Sequence, residues 1–349
     1  MIEAHHLTKT YGAKRALDDA TFTVRPGLVT GFLGPNGAGK STTMRMIVGL
    51  DRPTSGSVTV NGKRFADHAA PLHEVGVLLD AKAVHTGRSA QDHLLAMGAT
   101  HGIGKKRVAE VIALTGLESV AKKRVGGFSL GMGQRLGIAA ALLGDPATVI
   151  LDEPVNGLDP EGVVWVRTLA RFLAGEGRTV FLSSHLMSEM AQTADHLIVL
   201  GRGKVLADSP VADVIQQASG DAVRVRSPHA DHLVGLVQGP DVAVTAVEPG
   251  VVELRGITAE RVGEIAASRG VVLHELTPLV RSLEDAYMTL TQDSVDYHAG
   301  GAPLEPAPVT TPGAPPVAAP APAASASASA SASASASASA SVDTEGAQR

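Results

Sequence analysis

The sequence predicts an α/β fold for the first part of the chain, built on a sheet that is covered on both faces. Short, continuous apolar runs at residues 29–33, 148–151 and 179–182 are typical of fully buried strands. Between about residues 80 and 144 the strand pattern fades and helical composition replaces it. We therefore expect an α/β core that carries a helical subdomain.

Shorter patterns complete this first region. Residues 58–60 predict a strand, and the Asn61-Gly62 pair that follows predicts a tight turn. Residues 107–115 and 134–143 have the composition of helices. Because strands and helices alternate up to about Ser219, we place the first domain at residues 1–219.

A second pattern begins after residue 219 and predicts a small accessory domain at residues 220–298. Its elements follow one another in the order βαββαβ, which is a recurrent α+β unit. The predicted strands are residues 222–226, 242–247, 251–254 and 271–276, and the predicted helices are residues 229–237 and 259–268, with a last helix at 282–291.

The last part of the chain, residues 299–349, is rich in proline and alanine and then alternates serine with alanine. It has almost no large apolar residues, so it cannot bury enough surface to offset the entropy of ordering. The composition predicts a disordered tail.

Composition excludes several classes of protein. The 349 residues contain no cysteine, which rules out disulfides and thiolate metal sites. A net charge of -5 gives no sign of nucleic-acid binding. The longest apolar stretch, Leu136 to Leu151, is interrupted at Gly144 and is shorter than the roughly 20 residues of a membrane span. Any role in transport therefore calls for a separate partner in the membrane.

One motif points directly to phosphate chemistry, and it lies between the strand at 29–33 and a helical pattern. Lys40 is expected to reach the β- and γ-phosphates of a nucleotide, and the Ser41 hydroxyl to ligate Mg²⁺. The glycines allow several backbone N–H groups to face one anion at the start of the helix. The motif consists of Gly34, Pro35, Asn36, Gly37, Ala38, Gly39, Lys40 and Ser41 and fits GxxxxGK[ST] at every fixed position.

A second motif is the apolar strand at 149–151, which ends in Asp152 and Glu153. Asp152 is placed to hold Mg²⁺, and Glu153 to polarise an attacking water. An Asp-Glu pair alone is more typical of a surface turn. Its position after a buried strand, together with the phosphate-binding loop, favours a catalytic role.

Five motifs in this order resemble those of the ABC ATPase family, and the resemblance covers about Ile2 to Ser209. After the phosphate-binding loop comes a signature segment (residues 128–135), which is similar to LSGGQ followed by a basic residue. Asp152-Glu153 follows, then a D-loop at residues 156–159, and finally a histidine at the end of an apolar strand. The signature segment reads Phe128-Ser129-Leu130-Gly131-Met132-Gly133-Gln134-Arg135, the D-loop Asn156-Gly157-Leu158-Asp159, and the last motif Ser183-Ser184-His185.

The resemblance implies a role for each matching residue. Tyr11 would stack on adenine, although a lone tyrosine is more often a packing residue, and residues 34–42, including Thr42, would enclose the triphosphate. Ser129 and Gly131 would meet the γ-phosphate of ATP held by a second subunit, and Asp159 would couple the two sites. His185 would contact the γ-phosphate beside the catalytic residues Lys40 and Glu153. Mg²⁺ would be held by Ser41, Asp80 and Asp152.

The sequence departs from the family pattern at three positions. Asp80 stands where the family has a glutamine, Leu130 where a glycine is usual, and Met132 where a glutamine is usual. The signature segment and the small second domain together are similar to those of daunorubicin-resistance-like exporter subunits. The resemblance therefore implies a drug-exporter type.

The resemblance implies an ATP-hydrolysing subunit, with ATP and Mg²⁺ as cofactors, that forms a homodimer and powers a separate membrane permease. It would work in the cytoplasm, peripherally on the cytoplasmic face of the membrane, in the export of a drug-like or other small molecule. The alternative is a nucleotide-binding regulator with little turnover, as Asp80 and Leu130 would allow. A soluble ABC-type protein acting on ribosomes or DNA is a third reading, which the single phosphate-binding loop disfavours.

Overall fold

A computed structural model of the protein describes residues 1–81, 83–279 and 281–291. These residues belong to one unit. The predicted tail at 299–349 lies outside the described residues. The division of 1–298 into two domains at 219/220 stays a prediction.

The strands of the described residues include every run of the first region that the sequence predicted as a strand. They are β1 Ile2–Tyr11, β2 Lys14–Val24, β3 Val29–Leu33, β4 Ser55–Val60, β5 Val75–Leu78, β6 Thr148–Leu151, β7 Thr179–Ser184, β8 His196–Gly201, β9 Lys204–Pro210, β10 Ala222–Arg226, β11 Ala243–Glu248, β12 Val251–Arg255 and β13 Glu275–Pro278.

The helices lie between these strands or, in the case of α11, after the last of them. They are α1 Lys40–Ile47, α2 Pro71–Glu74, α3 Ala90–Ala99, α4 Lys105–Leu114, α5 Leu130–Leu142, α6 Pro160–Gly175, α7 Met187–Thr193, α8 Val211–Ser219, α9 Ala230–Val237, α10 Ala259–Ser268 and α11 Leu283–Thr291.

The central sheet has six strands in the order β5-β6-β7-β3-β8-β9, and all are parallel except β9. Every residue of β3, β6 and β7 is buried. Because both faces of these strands are covered, apolar residues do not alternate with polar ones, and the sequences are continuously apolar. The predicted α/β core is confirmed.

A second, antiparallel sheet of order β2-β1-β4 packs against the central one. Phe22 of β2 lies over Phe32 and Phe181 of the central sheet, with ring centroids 5.9 and 6.2 Å away. The predicted turn after β4 is present, and Asn61 and Gly62 both have positive φ, at 49° and 78°. Two positive φ angles are typical of the turn that matches strand twist.

The helical subdomain consists of α3, α4 and α5, which pack on one another and on β5. One buried apolar cluster joins Leu94 of α3, Val111 of α4 and Leu136 of α5 to the central sheet. Gly76 of β5 has no space for a Cβ because the carbonyl of Ala141 in α5 lies against it. The helix that begins in the signature segment is thereby fixed to the edge of the sheet.

The second region has the predicted element order βαββαβ and forms an antiparallel sheet of order β11-β12-β10-β13. The expected strand at 271–276 is displaced to 275–278. Val271 does not pair with the sheet, because its N–H donates to Ala266 O (2.9 Å) and closes the end of α10. Pairing with β10 begins only at Glu275.

The last helix, α11, returns to the first region. Leu283, Ala286 and Tyr287 are buried in the same apolar cluster as Val211 and Val214 of α8. Burial raises the pKa of Tyr287 to about 12. Among the described residues, no helix is both long enough and apolar enough to cross a membrane.

Candidate functional site

The phosphate-binding loop joins β3 to α1 at the carboxyl end of the central sheet. Gly37 and Gly39 have φ of 83° and 109°, a region that side chains with a Cβ rarely adopt. A Cβ on Gly34 would lie 2.7 Å from the carbonyl oxygen of Leu200, so the backbone approaches β8 too closely for any other residue. α1 begins at Lys40 with no side-chain cap. Its N–H groups and the positive end of its dipole therefore suit an anion.

Lys40 is almost fully buried at the floor of this loop, with 7% of the residue exposed. Its Nζ donates to Gly34 O (2.7 Å) and lies 4.0 Å from Glu153 Oε1. Burial lowers the pKa of Lys40, while the charges of Glu153 and Asp152 oppose the change. The ammonium group is thus held at the loop by the backbone carbonyls of Gly34 and Pro35, with two carboxylates nearby.

Asp152 and Glu153 follow β6 and are fixed by a serine at the end of β7. Ser183 Oγ donates to Asp152 Oδ1 (2.5 Å) and accepts from Glu153 N (2.9 Å). Glu153 has φ of 49°, which is unusual for a residue with a side chain and is frequent at functional sites. Its carbonyl accepts from Gln134 Nε2 (3.2 Å). Two long-range contacts therefore hold the Glu153 backbone in this conformation.

His185 lies beside Glu153. Its Nδ1 is 2.8 Å from Glu153 Oε2. The contact arises because β6 and β7 are parallel neighbours, with Leu151 opposite Leu182, so that the residues after the two strands meet at one edge. His185 is half-exposed and Glu153 is mostly covered. A carboxylate and an imidazole can together orient a water in the cleft.

The oxygen donors expected for Mg²⁺ come from three places. Ser41 is in the first turn of α1, Asp152 follows β6, and Asp80 is exposed two residues beyond β5. The N–H of Asp152 donates to Leu78 O (2.7 Å), which ties the ends of β5 and β6 together. The described residues contain no group of three or more Asp, Glu, His or Cys that could hold a metal by itself. A hydroxyl and one or two carboxylates fit a Mg²⁺ that keeps waters and binds phosphate oxygens.

A cleft of about 380 Å³ lies over the loop. Tyr11 forms part of its wall, and the Tyr11 hydroxyl donates to Asp51 Oδ2 (2.9 Å). Lys14 and Ala16 of β2 line the same cleft and were not anticipated from the sequence. The sequence gives little indication of their role, because the pairing of β1 with β2 brings them next to Tyr11. The other lining residues are Pro35, Asn36, Gly37, Gly39, Lys40, Ser41, Thr42 and Glu153.

The signature segment and D-loop do not line this cleft, although they lie beside each other. Ser129 caps α5 by accepting from Met132 N (3.2 Å), and Asp159 caps α6 by accepting from Gly162 N (2.9 Å). A Cβ on Gly131 would lie 3.2 Å from Gly157 O, so the two segments touch. Ser129 and Asp159 are both exposed. Two capped helix starts are therefore exposed and lie outside the cleft of their own chain.

Comparisons with known proteins show the family to which the chain belongs. A family model described as ABC transporter matches residues 17–156. A bacitracin transport ATP-binding protein of Bacillus licheniformis is 43% identical over 213 residues, which are 60% of this chain and 70% of that protein. An uncharacterised ABC transporter ATP-binding protein of Bacillus subtilis is 33% identical over 309 residues, which are 84% of this chain and 97% of that protein. The chain belongs to the ABC transporter family. It is an ATP-binding subunit and an ABC-type ATPase.

The fold of this ABC subunit is shared with solved structures. A structure titled as the ATP-binding subunit of an ABC transporter has 29% identity and a TM-score of 0.55, and the match covers 62% of this chain and 92% of that one. A model for a domain of unknown function matches residues 221–284, and a model for an AAA domain matches residues 124–191, within the ATPase region. The predicted family and fold class are thereby confirmed.

Proposed function

We propose that this ABC subunit hydrolyses ATP to power a separate membrane permease that exports a drug-like or other small molecule. The support for export comes from relatives. In addition to the bacitracin transport protein, a Nod factor export ATP-binding protein of Rhizobium is 33% identical over 299 residues, which are 96% of its length. The support for ATP hydrolysis is that Lys40 and Glu153 line one cleft and that His185 contacts Glu153.

The roles of the residues follow from their places. The N–H groups of the loop and the Lys40 ammonium bind the β- and γ-phosphates, and Tyr11 stacks on the base at the opposite wall. Glu153 accepts a proton from the attacking water as it adds to the γ-phosphorus. His185, which is hydrogen-bonded to Glu153, holds the carboxylate and the water in line.

Mg²⁺ would be held by the Ser41 hydroxyl and the Asp152 carboxylate, with Asp80 as the third oxygen donor that the family resemblance implies. The ion would neutralise charge that develops on the phosphate oxygens. Ser183 supports this site, since its hydroxyl fixes one oxygen of Asp152 and leaves the other available.

The proposed site is completed by a second copy of the chain. The feature that supports this is the exposure of Ser129 and Asp159 at helix starts outside their own cleft. In a two-fold dimer the signature segment of one subunit would close over the phosphates held by the other. ATP would then bridge the subunits, and hydrolysis would release them, which supplies the mechanical output.

The subunit would act peripherally on the cytoplasmic face of the membrane, because it requires cytoplasmic ATP and a permease. Co-purification of a membrane protein with the tagged chain, from membranes of the cells that naturally produce it, would identify that partner. Recovery of the chain with no membrane protein bound would contradict this part of the proposal.

The test of the ATPase dimer is Glu153→Gln, which removes the base and keeps the size of the side chain. We expect turnover to fall by at least about 100-fold, since general base catalysis contributes that much, and ATP to trap a dimer in sedimentation velocity. Glu118→Gln is the matched control, because Glu118 is exposed in a turn away from the cleft. A Glu153→Gln protein that stayed monomeric at saturating ATP would contradict the composite site.

A second candidate is a regulator that binds ATP with little turnover. The observations that favour it are the replacement of a glutamine by Asp80 and the exposed Leu130 in the signature segment, with 53% of the residue accessible. A steady-state ATPase assay with the permease present separates the two functions. Readily measured turnover would eliminate the regulator, and turnover no greater than that of Glu153→Gln would favour it.

A further inference from the structure

The helix that follows the D-loop, α6, has a contact that none of the assigned roles uses. The guanidinium carbon of Arg135, in the second turn of α5, lies 4.6 Å from the ring centroid of Trp165 in α6. Trp165 is the single tryptophan of the chain. Arg135 is also fixed from its other side, because its Nη1 donates to Thr115 O (3.2 Å). A guanidinium plane held against an indole face is a favourable cation–π arrangement.

Two more contacts join the start of α5 to the segment that leads into α6. Gln134 Nε2 donates to Glu153 O (3.2 Å). Leu130 packs against Gly157, where a Cβ would lie only 2.5 Å from Leu130 Cγ and where φ is 76°. The unusual leucine of the signature segment therefore contacts the D-loop of its own chain. The first two turns of α5 are attached to residues 153–165 at three points.

α6 is also attached to the helix that follows His185. Arg167 donates to Glu189 Oε2 and to Gln192 Oε1 of α7, both at 2.7 Å. α6 thus contacts both α5 and α7, and its own start carries Asp159. Movement of one of these three helices must be matched by the others or must break these contacts.

We propose that Arg135 and Trp165 are positioning residues that hold the signature segment and the D-loop in one fixed relation. Ser129 and Asp159 would then meet the ATP of the partner subunit together rather than one after the other. The inference rests on the ATP-bridged dimer proposed above. The physical reason is that two groups must reach one ligand at the same time, and a misplacement of about 1 Å at such a site is costly.

The experiment uses the full chain carrying Glu153→Gln, so that ATP is bound but not hydrolysed. Arg135→Met removes the cation and keeps an unbranched apolar side chain, and Arg135→Lys is the matched control that keeps the charge. Sedimentation velocity gives the ATP concentration at which half of the protein is dimeric. We expect Arg135→Met to raise it by about 3- to 30-fold, the range of a cation–π contact, and Arg135→Lys to raise it less.

Binding of a fluorescent ATP analogue to the monomer should be unchanged in Arg135→Met, because Arg135 does not line the cleft. An unchanged far-ultraviolet circular dichroism spectrum would show that the variant is folded. If Arg135 had only a structural role, Arg135→Met would lower thermal stability. It would then impair binding of the ATP analogue and dimerisation together, rather than dimerisation alone.

Trp165 supplies a direct signal. Since it is the only tryptophan, ATP-driven dimerisation should change its emission in the Glu153→Gln protein, and ADP should not. Trp165→Phe keeps a smaller aromatic face and should shift the dimerisation midpoint less than Trp165→Leu. The effects of Arg135→Met and Trp165→Leu should be less than additive, because each removes the same contact.

The outcomes separate this inference from the proposed function. If the Glu153→Gln parent dimerises and Arg135→Met dimerises at the same ATP concentration, the positioning role is refuted and the ATPase dimer stands. Additive effects of the two substitutions would also refute it. If the parent itself stays monomeric, the dimer is refuted and the positioning role falls with it.

Discussion

Ser183→Ala tests how the catalytic carboxylates are held. Ser183 is fully buried, and its hydroxyl donates to Asp152 Oδ1 (2.5 Å) while accepting from Glu153 N (2.9 Å). The alanine leaves the buried N–H of Glu153 without its acceptor, at a cost of about 1–3 kcal/mol. It also removes a hydrogen bond to a charged group, worth about 1.5–3 kcal/mol. Because Asp152 is only partly covered and regains some hydration, we expect a loss of about 2–4 kcal/mol in the free energy of unfolding.

The effect on catalysis should be larger than the effect on nucleotide binding. Glu153 has φ of 49°, and its N–H bond to Ser183 is one of two contacts that hold this strained backbone. Without it the carboxylate is no longer fixed beside His185, so kcat should fall at least about tenfold, which corresponds to about 1.4 kcal/mol. The KM for ATP should change less than about threefold. A coupled ATPase assay and thermal unfolding by circular dichroism measure both effects.

Ser227→Ala is the matched control. Ser227 is also buried, with its hydroxyl donating to Val272 O (2.8 Å) and accepting from His229 N (3.0 Å), but it lies in the second region. It should lower stability by about 1–3 kcal/mol and leave kcat unchanged. Equal losses of kcat in the two variants, or full activity in Ser183→Ala, would show that Ser183 does not position the catalytic carboxylates.

Three further predictions concern the cleft and the helical subdomain. Tyr11→Ala removes the ring proposed to stack on the base and should raise the KM for ATP at least about fivefold with kcat unchanged, whereas Tyr11→Phe keeps the ring, loses only the hydrogen bond to Asp51 and should raise it less; an unchanged KM in Tyr11→Ala would exclude Tyr11 from the base site. Lys40→Met removes the buried ammonium that is held at Gly34 O and should weaken binding of a fluorescent ATP analogue at least about tenfold in equilibrium titration; wild-type affinity would contradict the phosphate assignment. Burial lowers the pKa of His93, so the unfolded chain takes up the proton first as pH falls below about 6.5. The thermal unfolding midpoint should therefore decrease as the pH is lowered from 7 to 5, and it should decrease less in His93→Gln. An equal decrease in the two proteins would show that His93 does not cause this pH dependence.

Much of the site could be predicted because its motifs are local. The phosphate-binding loop needs glycines and a lysine within eight consecutive residues, directly after a strand, and these are visible in the sequence. The strands β3, β6 and β7 are continuous apolar runs because both faces of the sheet are covered. The order βαββαβ was likewise readable from local patterns. Only β13 was displaced, since Val271 has strand composition but closes α10.

The contacts that make these motifs into a site could not be predicted in the same way. Ser183 was visible beside His185, yet nothing in the sequence says that its hydroxyl reaches Asp152 and Glu153 at the end of the neighbouring strand β6. Asp51, the hydrogen-bond partner of Tyr11, is 40 residues away along the chain and belongs to no motif. Such contacts depend on which strands become neighbours.

By itself, the sequence predicted a phosphate-binding loop at residues 34–42 and carboxylates after a buried strand, because loop geometry and strand burial are set by adjacent residues. The tertiary structure alone decided that Leu130 lies on Gly157, that Arg135 meets Trp165, and that α11 returns to the core of the first region. These contacts join residues that are 27 or more positions apart. They exist only after parallel strands and helices have packed, and packing depends on the whole chain rather than on any local pattern.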